Sequence, residues 1–370
     1  MNKSGVLQKK KTIVLTGGGS AGHVIPNLLL LPDLQAGGWD VHYFGSRDGM
    51  EASLVRGAGV KYHAIQTGKL RRYFDIKNLT DPFRAIAGVV QSVYLLAKIR
   101  PSVIFAKGGF VSAPVVLGGR LLGTPSVIHE SDLTQGLANK ICAPFASIIC
   151  LSFEKTAKHL SKGARAKSIV TGAPIRRELT KGDAGEGLRI CGFNNDKPVL
   201  LVTGGSQGSE SLNKIVRSAL TGLLESWQVA HICGRGHIEA GLGGLRGYKQ
   251  FEFVGGELSH LYKISAAAVS RAGANTIFEL LYLNIPSVLI PLPLASSRGD
   301  QIKNAEEFER SGYCVKLDES KAGSAVTLIK TLNELHARRD GYVKAMRGAY
   351  GGDAKDLIIK TICEAAGVDP

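Results

Sequence analysis

Short runs of β-branched and aliphatic residues recur along the chain. Each is followed by glycines or small polar residues and then by a stretch of helical spacing. In the first half TIVLT, DVHYFG, SVIFAKGG, PSVIHE and SIICLS read as strands, with FRAIAGVVQSVYLLAKIR and APVVLGGRLLG as helices. The second half repeats the alternation with PVLLVT, VAHICG, FEFVG, AAAVSRAG and PSVLIP as strands and TIFELLYLN as a helix. Continuous apolar strands separated by helices predict α/β architecture, with parallel sheets and right-handed crossovers.

Two segments share one layout. Gly18-Gly19-Ser20-Ala21-Gly22 and Gly204-Gly205-Ser206-Gln207-Gly208 each close an apolar strand and open a helical pattern, about half the chain apart. Between them APIRRELTKGDAGEGLRICGFNNDK is rich in glycine and charge and poor in periodicity, so it reads as a linker beginning near Pro174. AKDLIIKTICEAAG reads as a terminal amphipathic helix. The expected architecture is two Rossmann-like domains with parallel sheets facing across a cleft.

Composition narrows the function classes. With 370 residues and 44% hydrophobic content, the chain is globular and long enough for two cores. A formal charge of +15 points to an anionic partner: nucleic acid, a phosphorylated substrate or an acidic membrane surface. No module or repeated basic-aromatic pattern supports nucleic acid. The six cysteines are scattered through apolar runs without a C-x-x-C pair, which favours buried thiols over a disulfide framework or zinc site. The apolar run after the basic N-terminus ends at Leu15, too short for a signal peptide. No stretch reaches the roughly 18 apolar residues of a membrane span. The expectation is a soluble or peripheral cytoplasmic protein.

Several loops have the composition of ligand sites. Gly17–His23 ends a strand and opens a helix, where backbone N–H groups meet an anion, although a tight turn that binds nothing has the same pattern. The loop is not read as a G-x-G-x-x-G fingerprint with its following acid, so a dinucleotide site is a weak reading. His23 stands at the carboxyl end of the strand with an imidazole suited to general-base work; a packed or capping histidine is the alternative. GGSQG repeats the device with Ser206, but lacks the G-K-[ST] of a P-loop. In SRAGANTIFE, backbone N–H groups at Ala274, Asn275 and Thr276 are placed for a diphosphate and Glu279 for ribose hydroxyls, with Thr276 as the expected N-cap; a plain capping motif is the alternative. HESD brings His129, Glu130 and Asp132 to another strand end, without the second histidine of a zinc motif. SRGDQIKNA places Asp300 and Gln301 after a strand, suited to sugar hydroxyls or simply a surface loop. Lys69, Arg71, Arg72, Tyr73 and Phe74 interleave charge with aromatic rings, as at an anionic membrane surface or in a solvated basic loop.

Eight segments (GGSAGH, GKLRRYF, KGGFVSAP, HESDLTQGLANK, TGAPIRR, VTGGSQGSESLN, SRAGANTIFE and GDQIKNA) stand together in the order found in the MurG family, which the chain resembles nearly end to end. The resemblance implies a GT-B fold, with an acceptor and membrane-associating domain over 1–174 joined by the terminal helix 353–370, and a UDP-GlcNAc domain over 175–352. It implies an inverting transfer of GlcNAc from UDP-GlcNAc to the C4 hydroxyl of MurNAc in undecaprenyl-linked lipid I. The product would be lipid II, in peptidoglycan synthesis. No cofactor and no metal are implied, and the protein is expected at the cytoplasmic face of the cell membrane, beside other cell-wall synthesis proteins. The roles carried over are His23 as base, with His129 and Glu130 as active-site residues. Donor contacts fall on Ser20, Ala21, Gly22, Asp132, Asn139, Arg176, Ser206, Val254 (through its backbone), Ala274, Asn275, Thr276, Glu279, Asp300 and Gln301. Asp132, Ala173 and Phe110 depart from the residues common in that family. A UDP-GlcNAc 2-epimerase on the same fold, or a non-enzymatic nucleotide-sugar or membrane-binding scaffold, would share many of these loops.

Overall fold

The structure, a computed structural model, describes residues 11–68, 77–205, 208–349 and 354–369. It divides into two compact units: Met1–Pro174 with Asp353–Pro370, and Ile175–Gly352.

In the first unit β1 (Thr12–Thr16), β2 (Asp40–Ser46), β3 (Lys61–Ile65), β4 (Val103–Ala106), β5 (Ser126–Glu130), β6 (Ile148–Leu151) and β7 (Ser168–Val170) form one parallel sheet. Its order is β3-β2-β1-β4-β5-β6-β7. Successive side chains of a strand point to opposite faces, and β1 shows both cores. Ile13 and Leu15 join Val103, Phe105 and the terminal helix Ala354–Ala366, whose Ile358 and Ile362 are fully buried. Val14 joins Phe44, Ile104 and Leu96 on the other face. Burying an isoleucine side chain contributes about 1.5–3 kcal/mol, so Ile358 and Ile362 fasten the terminal helix to the first unit.

In the second unit β8 (Val199–Thr203), β9 (Gln228–Ile232), β10 (Tyr248–Phe251), β11 (Ser265–Ser270), β12 (Ser287–Leu289) and β13 (Cys314–Lys316) form a second parallel sheet, ordered β10-β9-β8-β11-β12-β13. Both sheets reverse direction of build beside their first strand, between β1 and β4 and between β8 and β11. Crevices for ligands open at such switch points, outside the carboxyl ends of the strands.

Three local expectations change. The stretch read as a linker contains the helix Ala184–Cys191: Asp183 accepts from the backbone N–H of Glu186 at 2.7 Å, and Gly192 ends it at φ 68°. The strand expected at FEFVG lies earlier and ends at Phe251. Gly273, not Thr276, is the N-cap of the helix Ala274–Tyr282, so Thr276 sits in its first turn. All six cysteines are buried.

Candidate active site

In the first unit β1 leads through Gly17–Gly19 into the helix Ala21–Leu29, with Ser20 as its N-cap in extended conformation. Ser20, Ala21, Gly22 and His23 therefore form the first turn, where the positive end of the helix dipole faces the carboxyl edge of the sheet. Nδ1 of His23 lies 3.1 Å from the carbonyl oxygen of Lys107, at the end of β4. A carbonyl oxygen only accepts, so Nδ1 carries the proton and the basic lone pair of the neutral ring is on Nε2.

Two glycines let these loops converge. Gly108 and Gly109 have φ of 94° and 78°, a region L side chains rarely adopt. A Cβ on Gly109 would collide with the carbonyl oxygen of Gly18, and one on Gly108 would stand 3.5 Å from Cε1 of His23 and from both amide atoms of Asn139. The His23 ring and the Asn139 carboxamide thus share one small space.

Behind that space lies a buried polar cluster. Lys107 is 1% exposed. Its ammonium donates to Nδ1 of His129 at 2.6 Å and to Oγ of Ser131. His129 in turn donates from Nε2 to the carbonyl of Gly172 at 3.0 Å. Both ring nitrogens of His129 are committed and the ring is fully buried, so in this arrangement it acts as a strut. Burial, reinforced by the Lys107 charge, holds its pKa well below the ordinary histidine value. Glu130 accepts from the backbone N–H groups of Asp132 (3.1 Å) and Gly136 (3.0 Å) and from Asn139 (2.9 Å). Burial and the nearby Asp132 charge push its pKa up to about 7. Burial lowers Lys107 to about 8, against the opposing pull of Glu130 and Asp132.

Glu51 was not singled out by the sequence. It is fully buried and accepts from Oγ and the backbone N–H of Ser46 (2.5 and 3.0 Å) and from the backbone N–H of Gly19 (3.4 Å). Tyr43 adds a hydroxyl bond to the Gly17 carbonyl at 2.6 Å. These two side chains hold the first glycine loop from below. The one signal for Glu51 is a carboxylate beside Ala52 on the buried face of the helix Met50–Gly57.

The second unit gathers its candidates at the same edge of its own sheet. Gly204 and Gly205 follow β8, while Ser206 lies outside the described residues. Ser209 caps the next helix, Glu210–Ser218. Ala274, Asn275 and Thr276 open the helix after β11, with backbone N–H groups that have no carbonyl one turn earlier within it. Glu279, one turn on, is held from two sides. Arg176 donates to its Oε1 from Nε and Nη2 at 3.1 and 2.8 Å, and the Tyr262 hydroxyl donates to Oε2 at 3.0 Å. Val254 is buried in the loop after β10. Asp300 begins the helix Asp300–Arg310 and pairs with Arg298 at 3.3 Å; Gln301 accepts from the Leu292 N–H at 3.1 Å, bracing the loop after β12. Arg271, quoted in the motif without a role, is 4% exposed. It donates to Ser209 (3.1 Å), Ser211 (2.5 Å), the Ile290 carbonyl (3.0 Å) and Glu319 (3.2 Å), tying together the loops after β8, β11 and β12.

The structure therefore brings Ser20, Ala21, Gly22, His23, His129, Glu130, Asp132 and Asn139 to one edge of the first sheet, and the described second-unit candidates to the corresponding edge of the other. Lys69, Arg71, Arg72, Tyr73 and Phe74 lie outside the described residues. Just after them, the helix Lys77–Ile99 leaves Phe83, Ile86, Val90 and Tyr94 exposed by 63–74% at spacings of three and four residues, which is one apolar stripe on one helix face. Among the described residues no helix is long and apolar enough to cross a membrane. No group of three or more His, Cys, Asp or Glu among them is arranged to hold a metal ion.

Comparison with known proteins agrees with this layout. Residues 13–150 match the glycosyltransferase family 28 N-terminal domain, and residues 199–361 match its C-terminal domain. The UDP-N-acetylglucosamine–N-acetylmuramyl-(pentapeptide) pyrophosphoryl-undecaprenol N-acetylglucosamine transferase of Clostridium tetani is 47% identical, over 95% of this chain and 98% of its own. The transferase of the same name from Geobacillus thermodenitrificans is 48% identical, over 96% and 99%. The crystal structure of MurG from Acinetobacter baumannii superposes with a TM-score of 0.75 at 22% identity, covering 96% of this chain and 99% of that one; this likeness shows the fold.

Proposed function

The chain belongs to glycosyltransferase family 28, among its MurG-type members, and from that premise we propose that it transfers GlcNAc from UDP-GlcNAc to a lipid-linked acceptor. The acceptor is the C4 hydroxyl of MurNAc in undecaprenyl-pyrophosphoryl-MurNAc-pentapeptide, and the products are lipid II and UDP. The observation that carries the reading is the His23 ring, with Nδ1 bound to the Lys107 carbonyl and its lone pair on Nε2 beside the first glycine loop.

The chemistry follows from the groups present. The Nε2 lone pair removes the proton from the acceptor hydroxyl as its oxygen attacks the anomeric carbon of GlcNAc. The bond from that carbon to the UDP oxygen breaks, the electron pair leaves with UDP, and attack opposite the leaving group inverts the anomeric centre. The first unit takes the acceptor. The second takes the donor, with N–H groups at Ala274–Thr276 facing the departing diphosphate and Glu279 the ribose. His129 and Glu130 hold the acceptor side from behind: the first through Lys107, the second through Asn139 and the loop at Asp132–Gly136.

Work on a lipid-linked substrate calls for a membrane surface. The stripe Phe83–Tyr94 and the basic-aromatic segment ahead of it supply apolar and cationic contacts to an anionic leaflet, which supports peripheral association at the cytoplasmic face. The activity is tested by UDP release from UDP-GlcNAc with and without a lipid I analogue. Acceptor-dependent release supports the transferase. Epimerised sugar formed without acceptor, or UDP binding with no turnover, contradicts it.

A further inference from the structure

We propose that Lys107 is a positioning residue for His23: its buried ammonium, anchored on His129 and Ser131, fixes the peptide whose carbonyl oxygen orients the base. The proposal rests on the reading of His23 as the base.

A lysine at this place is costly. Removing an ammonium from water costs several kcal/mol even after relaxation, and an apolar side chain would fill the end of β4 without that cost. What the lysine supplies is a pair of donated hydrogen bonds, to Nδ1 of His129 and to Oγ of Ser131. Both acceptors are held in turn. His129 is pinned by the Gly172 carbonyl at 3.0 Å, and Ser131 follows Glu130, whose carboxylate is fastened by three donors.

The local chain explains why such an anchor matters. Lys107 is the last residue with a side chain before Gly108 and Gly109, both at positive φ. The orientation of its carbonyl is therefore set by few contacts. Its own N–H donates to the Thr16 carbonyl at 2.9 Å, and the next carbonyl, of Gly108, accepts from Oγ of Ser112 at 2.7 Å. The side chain supplies the remaining anchor at the peptide that meets Nδ1 of His23. Residues that act through another group in this way cost about 10²-fold when they let it drift by an ångström.

The titratable groups facing Lys107 are His23 from the helix Ala21–Leu29, His129 and Glu130 from β5, Asp132 from the loop beyond, and Cys150 from β6. Burial sets the ammonium to titrate at about 8, so it is lost in an accessible pH range.

The test uses the full chain with UDP-GlcNAc and a short-prenyl pyrophosphoryl-MurNAc-pentapeptide, comparing Lys107→Met, His23→Ala and the unmodified protein. Lys107→Met is expected to lower kcat by about 10–100-fold, with UDP affinity unchanged. Loss of the ammonium above about pH 8 is expected to lower kcat of the unmodified enzyme, and this fall is expected to be absent from Lys107→Met. Turnover of Lys107→Met within about twofold of the unmodified enzyme, with His23→Ala crippled, overturns the proposal. Unimpaired His23→Ala overturns the base reading itself, whatever Lys107→Met does. Should Lys107→Met not fold, the unmodified protein still decides. Histidine-labelled ¹⁵N spectra are expected to show the Nδ1–H tautomer of His23 while Lys107 is charged, with that tautomer and kcat lost together once Lys107 gives up its proton. No change in either up to pH 10 overturns the proposal.

Discussion

The carbonyl oxygen of Lys107 stands 3.1 Å from Nδ1 of His23, so the loop after β4 is hydrogen-bonded to the first turn of the helix after β1, at the switch point of the first sheet. A bond of this kind fixes the tautomer of the ring and its direction, as the second partner of a catalytic histidine commonly does. Removing the ring removes the proposed base. His23→Ala is expected to lower kcat by about 10²–10⁴-fold, the range of general acid–base catalysis, with little change in KM for UDP-GlcNAc. Steady-state kinetics checks this, and near-normal turnover removes His23 from the role.

Glu279 is held by Arg176 at 2.8 Å and by Tyr262 at 3.0 Å, which leaves its remaining lone pairs to a ligand. Hydrogen bonds to a charged group are worth about 1.5–3 kcal/mol. Glu279→Gln is therefore expected to weaken UDP binding by about 10–100-fold in calorimetry. Arg176→Met is expected to weaken it too, because it releases the carboxylate from its fixed position. Unchanged binding in both variants takes the ribose contact away from Glu279.

The helix Lys77–Ile99 exposes Phe83 by 74% and Ile86 by 63%. Inserting each into a bilayer interface contributes at most about 1.5–3 kcal/mol. The double change Phe83→Ser, Ile86→Ser is expected to lower binding to vesicles of anionic phospholipid by about tenfold or more, with the helical circular dichroism signal retained. Vesicle sedimentation measures it. Equal binding would place the membrane contact elsewhere.

His231 donates to Oδ1 of Asn213 at 3.0 Å and accepts from the Tyr248 hydroxyl at 2.9 Å in the second core. Burial, then the Arg217 charge, lowers its pKa from 6.5 to about 3. The unfolded chain binds a proton below its ordinary pKa that the folded chain refuses. The stabilisation is therefore complete above pH 6.5 and is lost progressively as pH falls towards 3. Each unit is worth about 1.4 kcal/mol. The urea midpoint is expected to fall between pH 6.5 and 4, and to fall less in His231→Gln. A midpoint insensitive to pH in the unmodified chain contradicts this assignment.

What the sequence shows best is what is local. A β-branched run, a glycine loop and a helical pattern lie within twenty residues of one another, so the loops at Gly17–His23 and Ser270–Glu279 were legible; that they lie at switch points appears only with the strand order. The helix Ala184–Cys191 was hidden because Gly185 and Gly187 within it blur its spacing. β3 escaped notice because this edge strand alternates weakly, with Lys61 exposed and only Ile65 fully buried. Glu51, Lys107 and Arg271 act only where distant segments converge: MEASLV carries no sign that its carboxylate will meet Gly19, nor SRAG that its arginine will bind Ser209. His129 looked like a reactive group at a strand end; its burial and its two committed nitrogens appear only when β4 and the Gly172 turn are set beside it.

The central claim is the transfer itself, and one experiment reaches it directly. The chain is incubated with UDP-GlcNAc and a lipid I analogue, UDP release is followed, and the product is examined by mass and by the anomeric proton coupling of the new sugar. The account predicts release that depends on acceptor, one added N-acetylhexosamine, and a β linkage from the α-linked donor. Release without acceptor, an epimerised sugar, or a retained α linkage would contradict it.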